Sequence, residues 1–165
     1  MIFKEVLDYA ESDKVHSKIH TRKAVRAVIL KGDKLLMVHS NRGDYKFPGG
    51  GVNPGENDYE ALIREVEEET GYLVKNIEKK IGMVLERKED EFDKEALFEM
   101  ESHYYACEVE EEMHQQNLDE YEKELDFYPA WISLKDALEN NKLLLNNPDI
   151  NPWTRREIKV LSKLL

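Results

Sequence analysis

Three carboxylates, Glu65, Glu68 and Glu69, stand at positions i, i+3 and i+4 of the chain. On a helix, where successive residues turn by about 100°, this spacing gathers them within roughly a third of the circumference. Like charges so placed repel by a few tenths of a kcal/mol, a cost that a hard divalent cation between them would remove. Magnesium takes oxygen ligands, keeps several waters and bridges carboxylates to substrate phosphates, and manganese suits the same donors. The same helical arithmetic predicts Tyr59, Leu62, Ile63 and Val66 on a core-facing side, with Glu67 pointing away from the triad. Taken alone, the triad is equally consistent with solvent-facing glutamates in a Glu-rich chain.

The elements around the triad are legible from local patterns. Phe47-Pro48-Gly49-Gly50-Gly51-Val52-Asn53-Pro54-Gly55 is a structured loop, because its glycines and prolines supply turn geometry and permit close approach to the backbone. Asn57 or Asp58 can cap a helix that runs to about Thr70 and ends at Gly71. Upstream, residues 24–30 and 34–40 read as a hairpin about Lys31-Gly32-Asp33. Downstream, 72–86 and 97–109 read as strands with a loop at 87–94 between them. The acidic stretch 108–124 reads as a solvated loop or short helix, and 130–133 as a last strand. Ser133 can cap a helix at 134–140. Asn151 and Pro152 supply an N-cap and first-turn proline for a closing helix with Ile158, Leu161 and Leu165 as its apolar stripe. Residues 1–20 are polar and read as an N-terminal extension, ahead of a single domain over 21–165.

Composition bounds the function. A chain of 165 residues accommodates one domain with a real core. Its 24 basic against 35 acidic side chains give a net charge of −11, which argues against a polyanion-binding surface and hence against nucleic-acid polymers. A small phosphorylated ligand stays open if a cation or local Arg and Lys reverse the field. Cys107 is the sole cysteine, so no internal disulfide or cysteine zinc cage can form, and a buried inert thiol is expected. Met1 to Tyr9 carries acids and no long apolar run, which predicts neither a secretory signal nor a membrane span and points to the cytoplasm.

The wider spacing changes the weight of the triad. Gly50, five residues, Glu56, seven residues, and then Arg64-Glu65-Val66-Glu67-Glu68-Glu69-Thr70-Gly71-Tyr72 closely resembles the Nudix box, here residues 50–72. Only Tyr72 departs, at a position where the box takes an aliphatic residue. On ordinary residue frequencies a random match at one starting point falls below roughly one in a million. The resemblance implies an α/β (α+β) fold, an α/β/α sandwich around a mixed β-sheet. It implies a MutT-like pyrophosphohydrolase that acts on a nucleoside diphosphate linked to another group, using Mg2+ or Mn2+. It further implies Glu65, Glu68 and Glu69 as metal ligands with the Gly49 carbonyl beside them, Glu56 and Gly71 as structural support, and Arg64 orienting the carboxylates. A binding module that keeps the fold without turnover is the alternative. An isoprenoid-diphosphate isomerase is disfavoured, since Cys107 does not match the position of that enzyme's cysteine.

Glu65, Glu68 and Arg64 are the expected catalytic residues, with Glu68 favoured as the base. Outside the box, Glu86, Glu89, Asp90, Glu99 and Glu101 are further base candidates. Arg26, polar among apolar strand neighbours, could reach substrate, as could Arg42 and Asn41 ahead of the glycine loop and the backbone at Gly50. His39 and His103 read as structural, and Trp131 and Trp153 as core or interface aromatics. A small nucleotide-type substrate is expected as partner, with a homodimer left open. Arg87 stands where subfamily-marking proline or tyrosine would fall, sixteen residues beyond Gly71, so no substrate marker is present.

Overall fold

Alternation within one strand organises the molecule. The computed structural model describes residues 1–165. In chain order its elements are β1 (Phe3–Asp8), β2 (Lys18–Lys31), β3 (Lys34–His39), β4 (Tyr45–Lys46), β5 (Gly49–Gly51), α1 (Asp58–Thr70), β6 (Tyr72–Glu89), β7 (Ala96–Met113), α2 (Glu120–Glu124), β8 (Tyr128–Ser133), α3 (Leu134–Leu143) and α4 (Thr154–Leu164). Successive side chains of a strand point to opposite faces. Val25, Ala27 and Ile29 of β2 accordingly join Ala61, Leu62 and Val66 of α1 in one core. Val28 lies in the other, with Leu138 of α3 and Val160 and Leu161 of α4. Helices thus cover both faces, which is the α/β/α sandwich expected.

The sheet is mixed, in the order β1-β6-β7-β2-β3-β4, with β5 added to β2 and β8 to β3. β2 runs parallel to β7 over twelve residue pairs from Lys18↔Ala96 to Ile29↔Cys107. β5 pairs antiparallel with β2 through Ala24↔Gly51, Val25↔Gly50 and Arg26↔Gly49, which pins the glycine loop beside Arg26. The β2-β3 hairpin turns at Gly32, whose φ of 62° suits glycine.

Several elements differ from the sequence expectation. Within residues 1–20, read as an extension, β1 pairs in parallel with β6, and Phe3 is buried with its ring edge-on to Tyr104 at 5.3 Å between centroids. The core side of α1 is Ala61, Leu62 and Val66, whereas Tyr59 and Ile63 are exposed. Part of the acidic stretch 108–124 is strand, because β7 continues to Met113 to pair with Tyr72. Asn151 does not cap α4. Trp153 takes that place without a side-chain cap, while the Asn151 amide donates to Asp44 Oδ1 at 2.7 Å, since that buried carboxylate must be satisfied. The buried stripe of α4 includes Val160 and Leu161, and Leu165 is exposed. No helix is long and apolar enough to cross a membrane.

Candidate active site

The glycine loop and α1 meet because each end of the helix is fixed. Asn57 accepts from the Glu60 amide at 2.9 Å while the Glu60 carboxylate accepts from the Asn57 amide, a reciprocal cap of the first turn. At the other end Gly71 adopts φ 76° and its N–H returns to the Glu67 carbonyl at 2.9 Å. Gly50 is needed for a different reason. A Cβ there would lie 2.6 Å from the Glu65 carboxyl group, so only glycine lets that carboxylate rest against the loop.

Two of the three predicted carboxylates converge, and a third comes from elsewhere. Glu65, Glu69 and Glu122 each present an oxygen within 4.8 Å of the others. Glu122 comes from α2, where it also closes a reciprocal cap with Asp119. Burial, reinforced by the Glu69 charge, pushes its carboxyl up to about 8, so Glu122 holds a proton at neutral pH. Burial raises Glu65 as well, again with Glu69 contributing. An all-oxygen cluster whose charges suppress one another's ionisation is chemically suited to a hard divalent cation. Glu69 is held differently. Its carboxylate accepts from the Gly49 amide at 2.6 Å and from Lys46 Nζ at 3.0 and 2.7 Å.

Arg64 binds the support together. Its guanidinium donates to both oxygens of Glu56 at 2.7 and 2.8 Å, to Glu65 at 2.9 Å, to Glu68 at 3.3 Å and to the Gly51 carbonyl at 3.1 Å. The paired guanidinium, with the Asn53 amide, holds the Glu56 carboxyl down at about 2. Glu68 lies outside the carboxylate cluster, with a side chain one-third exposed and Arg64 as its partner. It borders a separate surface hollow with Glu60, Glu67 and Asn117.

Beside the cluster opens a cleft of about 550 Å3. Its floor is the sheet face under α4, and the glycine loop forms one edge. Arg22, Arg26, Lys46, Lys88, Arg155 and Arg156 line it, against the single carboxylate of Glu86. In a chain of net charge −11 this is the local reversal of field that a phosphorylated ligand requires. Tyr9, Phe98, Tyr121 and Trp153 supply aromatic surface to the same cleft.

Of the other predicted site residues, Arg26 and Gly50 line the cleft. The Gly49 carbonyl accepts from Arg26 Nη1 at 3.1 Å and Lys46 Nζ at 3.3 Å. Arg42 donates to Asn151 at 3.0 Å and is not among the cleft residues; Asn41 bonds Asp126. Of the candidate bases beyond the box, Glu86 lines the cleft and is paired there with Arg156, while the others have partners outside it: Glu89 with His16, Glu99 with Arg87, Glu101 with His103, and Asp90 in a turn with the amides of Phe92 and Asp93. Cys107 is buried, with its thiol pushed up to about 12 by desolvation. Trp131 donates to Tyr72 at 3.2 Å, while Trp153 both donates to Asp44 and lines the cleft.

Two principal groups escaped the sequence. Glu122 sits in an acid-rich stretch where one glutamate resembles the next; the Asp119-x-x-Glu122 spacing signals a helix start but not burial. Lys46 lies just before the glycine loop, and strand alternation between Tyr45 and Phe47 was its only cue.

A family model described as the NUDIX domain matches residues 20–156. A Bacillus subtilis protein provisionally named an 8-oxo-dGTP diphosphatase is 54% identical over 46 residues, 28% of this chain and 28% of its own length. An ADP-ribose pyrophosphatase of Methanocaldococcus jannaschii is 33% identical over 76 residues, 44% of this chain and 45% of its own. The matches thus span less than half the length of either relative. Among solved structures, a NUDIX hydrolase from Nitrosomonas europaea superposes with a TM-score of 0.60 at 23% identity, covering 85% of this chain and 87% of that one.

Proposed function

Because this chain belongs to the Nudix family, we propose that it is a hydrolase that cleaves a phosphoric anhydride bond in a small nucleotide, with a divalent cation, Mg2+ or Mn2+, held by Glu65, Glu69 and Glu122. The observation that carries the proposal is the juxtaposition of this carboxylate cluster with a cation-lined cleft, joined through Lys46, Gly49 and Gly50. Relatives named for 8-oxo-dGTP and ADP-ribose support the substrate class.

The bound cation would neutralise diphosphate oxygens and acidify a water molecule. The chain's own residues do the rest. Arg26 and Lys46 meet the phosphate charge, and Arg64 keeps Glu65 at the glycine loop. Of the triad Glu65, Glu68 and Glu69, Glu68 is the carboxylate least committed to other partners, with one contact at 3.3 Å. It lies one helical turn from Glu65, so a side-chain rotation can bring its oxygen to take the proton of the attacking water. A nucleotide-binding module without turnover is the second reading, favoured by the Lys46–Glu69 pair that already neutralises one carboxylate.

A hydrolysis panel of nucleoside triphosphates, oxidised nucleotides, ADP-ribose, NADH, nucleotide sugars and dinucleoside polyphosphates tests this. Turnover of at least one class is expected with Mg2+ or Mn2+ and none in chelator. Binding without turnover across the panel would favour the second reading.

A further inference from the structure

Lys46 is the one lysine among the buried residues, only 3% exposed. Its ammonium holds both oxygens of Glu69, at 3.0 and 2.7 Å, and reaches the Gly49 carbonyl at 3.3 Å. Glu69 is at the same time a member of the carboxylate cluster, with an oxygen within 4.8 Å of those offered by Glu65 and Glu122. A lysine thus occupies a carboxylate that a divalent cation in the cluster would use. The Gly49 carbonyl beside it is also fully engaged, since Arg26 Nη1 takes its other lone pair at 3.1 Å.

The two kinds of cation cannot share Glu69 on equal terms. An ammonium and a divalent ion on the same carboxylate repel each other strongly where little water screens them. The divalent ion brings twice the charge to the same oxygens, whereas one ammonium supplies a single charge where three carboxyl groups converge.

Three features make Lys46 the partner that moves. Its charge is compact and rides on a flexible stem, unlike an arginine fork, which would lock onto the carboxylate through two parallel bonds. Its departure orphans nothing, because Glu69 keeps the Gly49 amide at 2.6 Å and the Gly49 carbonyl keeps Arg26. It also has a destination, since Lys46 is part of the cleft wall beside Arg26, Gly49 and Gly50.

We propose that Lys46 is an exchangeable residue: it counters Glu69 until a divalent cation takes that place, and its ammonium then turns into the cleft to bind a phosphate oxygen of the substrate. The inference rests on the proposed function for the cation and the phosphorylated ligand, and goes beyond it by coupling the two through one side chain. Cation and phosphate then favour each other's binding, because both are paired with the same position of Lys46.

Acetylation of the wild-type protein with a lysine-reactive ester, read by peptide mass spectrometry, reports the position of Lys46. Its labelling is expected to rise about tenfold on addition of Mg2+ and to fall again when methylenediphosphonate is added as well. Exposed Lys142 should be labelled alike throughout. Calorimetric titration gives a second readout, in which K46M should bind Mn2+ about tenfold more tightly than the wild type. Once loaded with Mn2+, K46M should nevertheless bind methylenediphosphonate about tenfold less tightly. A merely structural role for Lys46 would weaken both. K159M, which removes a lysine paired with Glu5 outside the cleft, should match the wild type in both titrations. Labelling of Lys46 that ignores a saturating cation, or Mn2+ affinity in K46M no higher than in the wild type, would overturn the exchange. If K46M does not fold, the wild-type labelling decides alone. Absence of hydrolysis with the labelling response intact would count against the proposed function alone, whereas absence of cation binding by the wild type would overturn both.

Discussion

The Lys46 ammonium lies 2.7 Å from Oε2 of Glu69, and both side chains are almost wholly buried. The same ammonium reaches the Gly49 carbonyl at 3.3 Å, so a lysine supplies positive charge where the sequence pointed to metal ligands. Removing one partner of such a pair strands the other in low dielectric, at a cost of about 3–5 kcal/mol. K46M should therefore lower unfolding stability by roughly that amount, with Mg2+ or Mn2+ recovering part of it. Denaturant midpoints with and without cation measure this, and a loss below about 1 kcal/mol would show that the pair is not needed to satisfy Glu69.

Glu122 makes stability depend on pH in a definite direction. Its carboxyl sits at about 8 in the fold against an ordinary 4.5, so between those values the folded state holds a proton that the unfolded chain has released. Stability from this group is complete below about 4.5 and declines as pH rises through about 8. The apo protein should lose on the order of a few kcal/mol between pH 5 and 8. E122Q should flatten that slope, and divalent-cation affinity should rise over the same interval as the proton becomes easier to displace. A pH-stability profile identical in E122Q and wild type would remove Glu122 from this role.

Arg64 distributes one planar guanidinium over Glu56, Glu65, Glu68 and Gly51. Lysine retains the charge but cannot reproduce that fork. R64K should lower kcat by about 10- to 100-fold, as expected when a group that orients ligands is lost, with a smaller change in KM. Circular dichroism should remain that of the wild type. Activity within twofold of wild type would mean that Glu56 and the glycine loop alone suffice to place Glu65.

Glu68 separates proton transfer from cation binding. E68Q should reduce kcat by about 100-fold or more, while the apo melting temperature stays the same or rises, since one repelling charge leaves the helix face. By contrast, E65Q and E69Q should weaken the stabilisation conferred by Mg2+ or Mn2+ along with turnover. Full activity in E68Q would sink its assignment as base.

Much of the local structure was written in short-range patterns. Asn57, one of two residues offered as the cap of α1, Gly71 after Thr70, and Ser133 before α3 are caps whose chemistry depends on neighbours a few residues away, and each is found in that role. Asn151 was misread because a side chain suited to capping found a stronger claim 107 residues away at Asp44. Tyr59 and Ile63 follow helical spacing yet stay exposed, because the face that α1 buries is centred on Ala61, Leu62, Val66 and Glu69, which leaves those two at its rim.

The sequence by itself determined the family, the helix that carries the acidic triad, and the place of Gly50 in the motif, because these depend on spacing within 23 residues, Gly50 to Tyr72. Only the tertiary structure decided that Glu122 rather than Glu68 completes the carboxylate cluster, that Lys46 neutralises Glu69, and that Arg22 and Arg155 share a cleft. The reason is one of range. Caps and helical faces are fixed by bonds between near neighbours, whereas burial, shifted ionisation and charge imbalance arise when strands and helices distant in the chain exclude water from a common space.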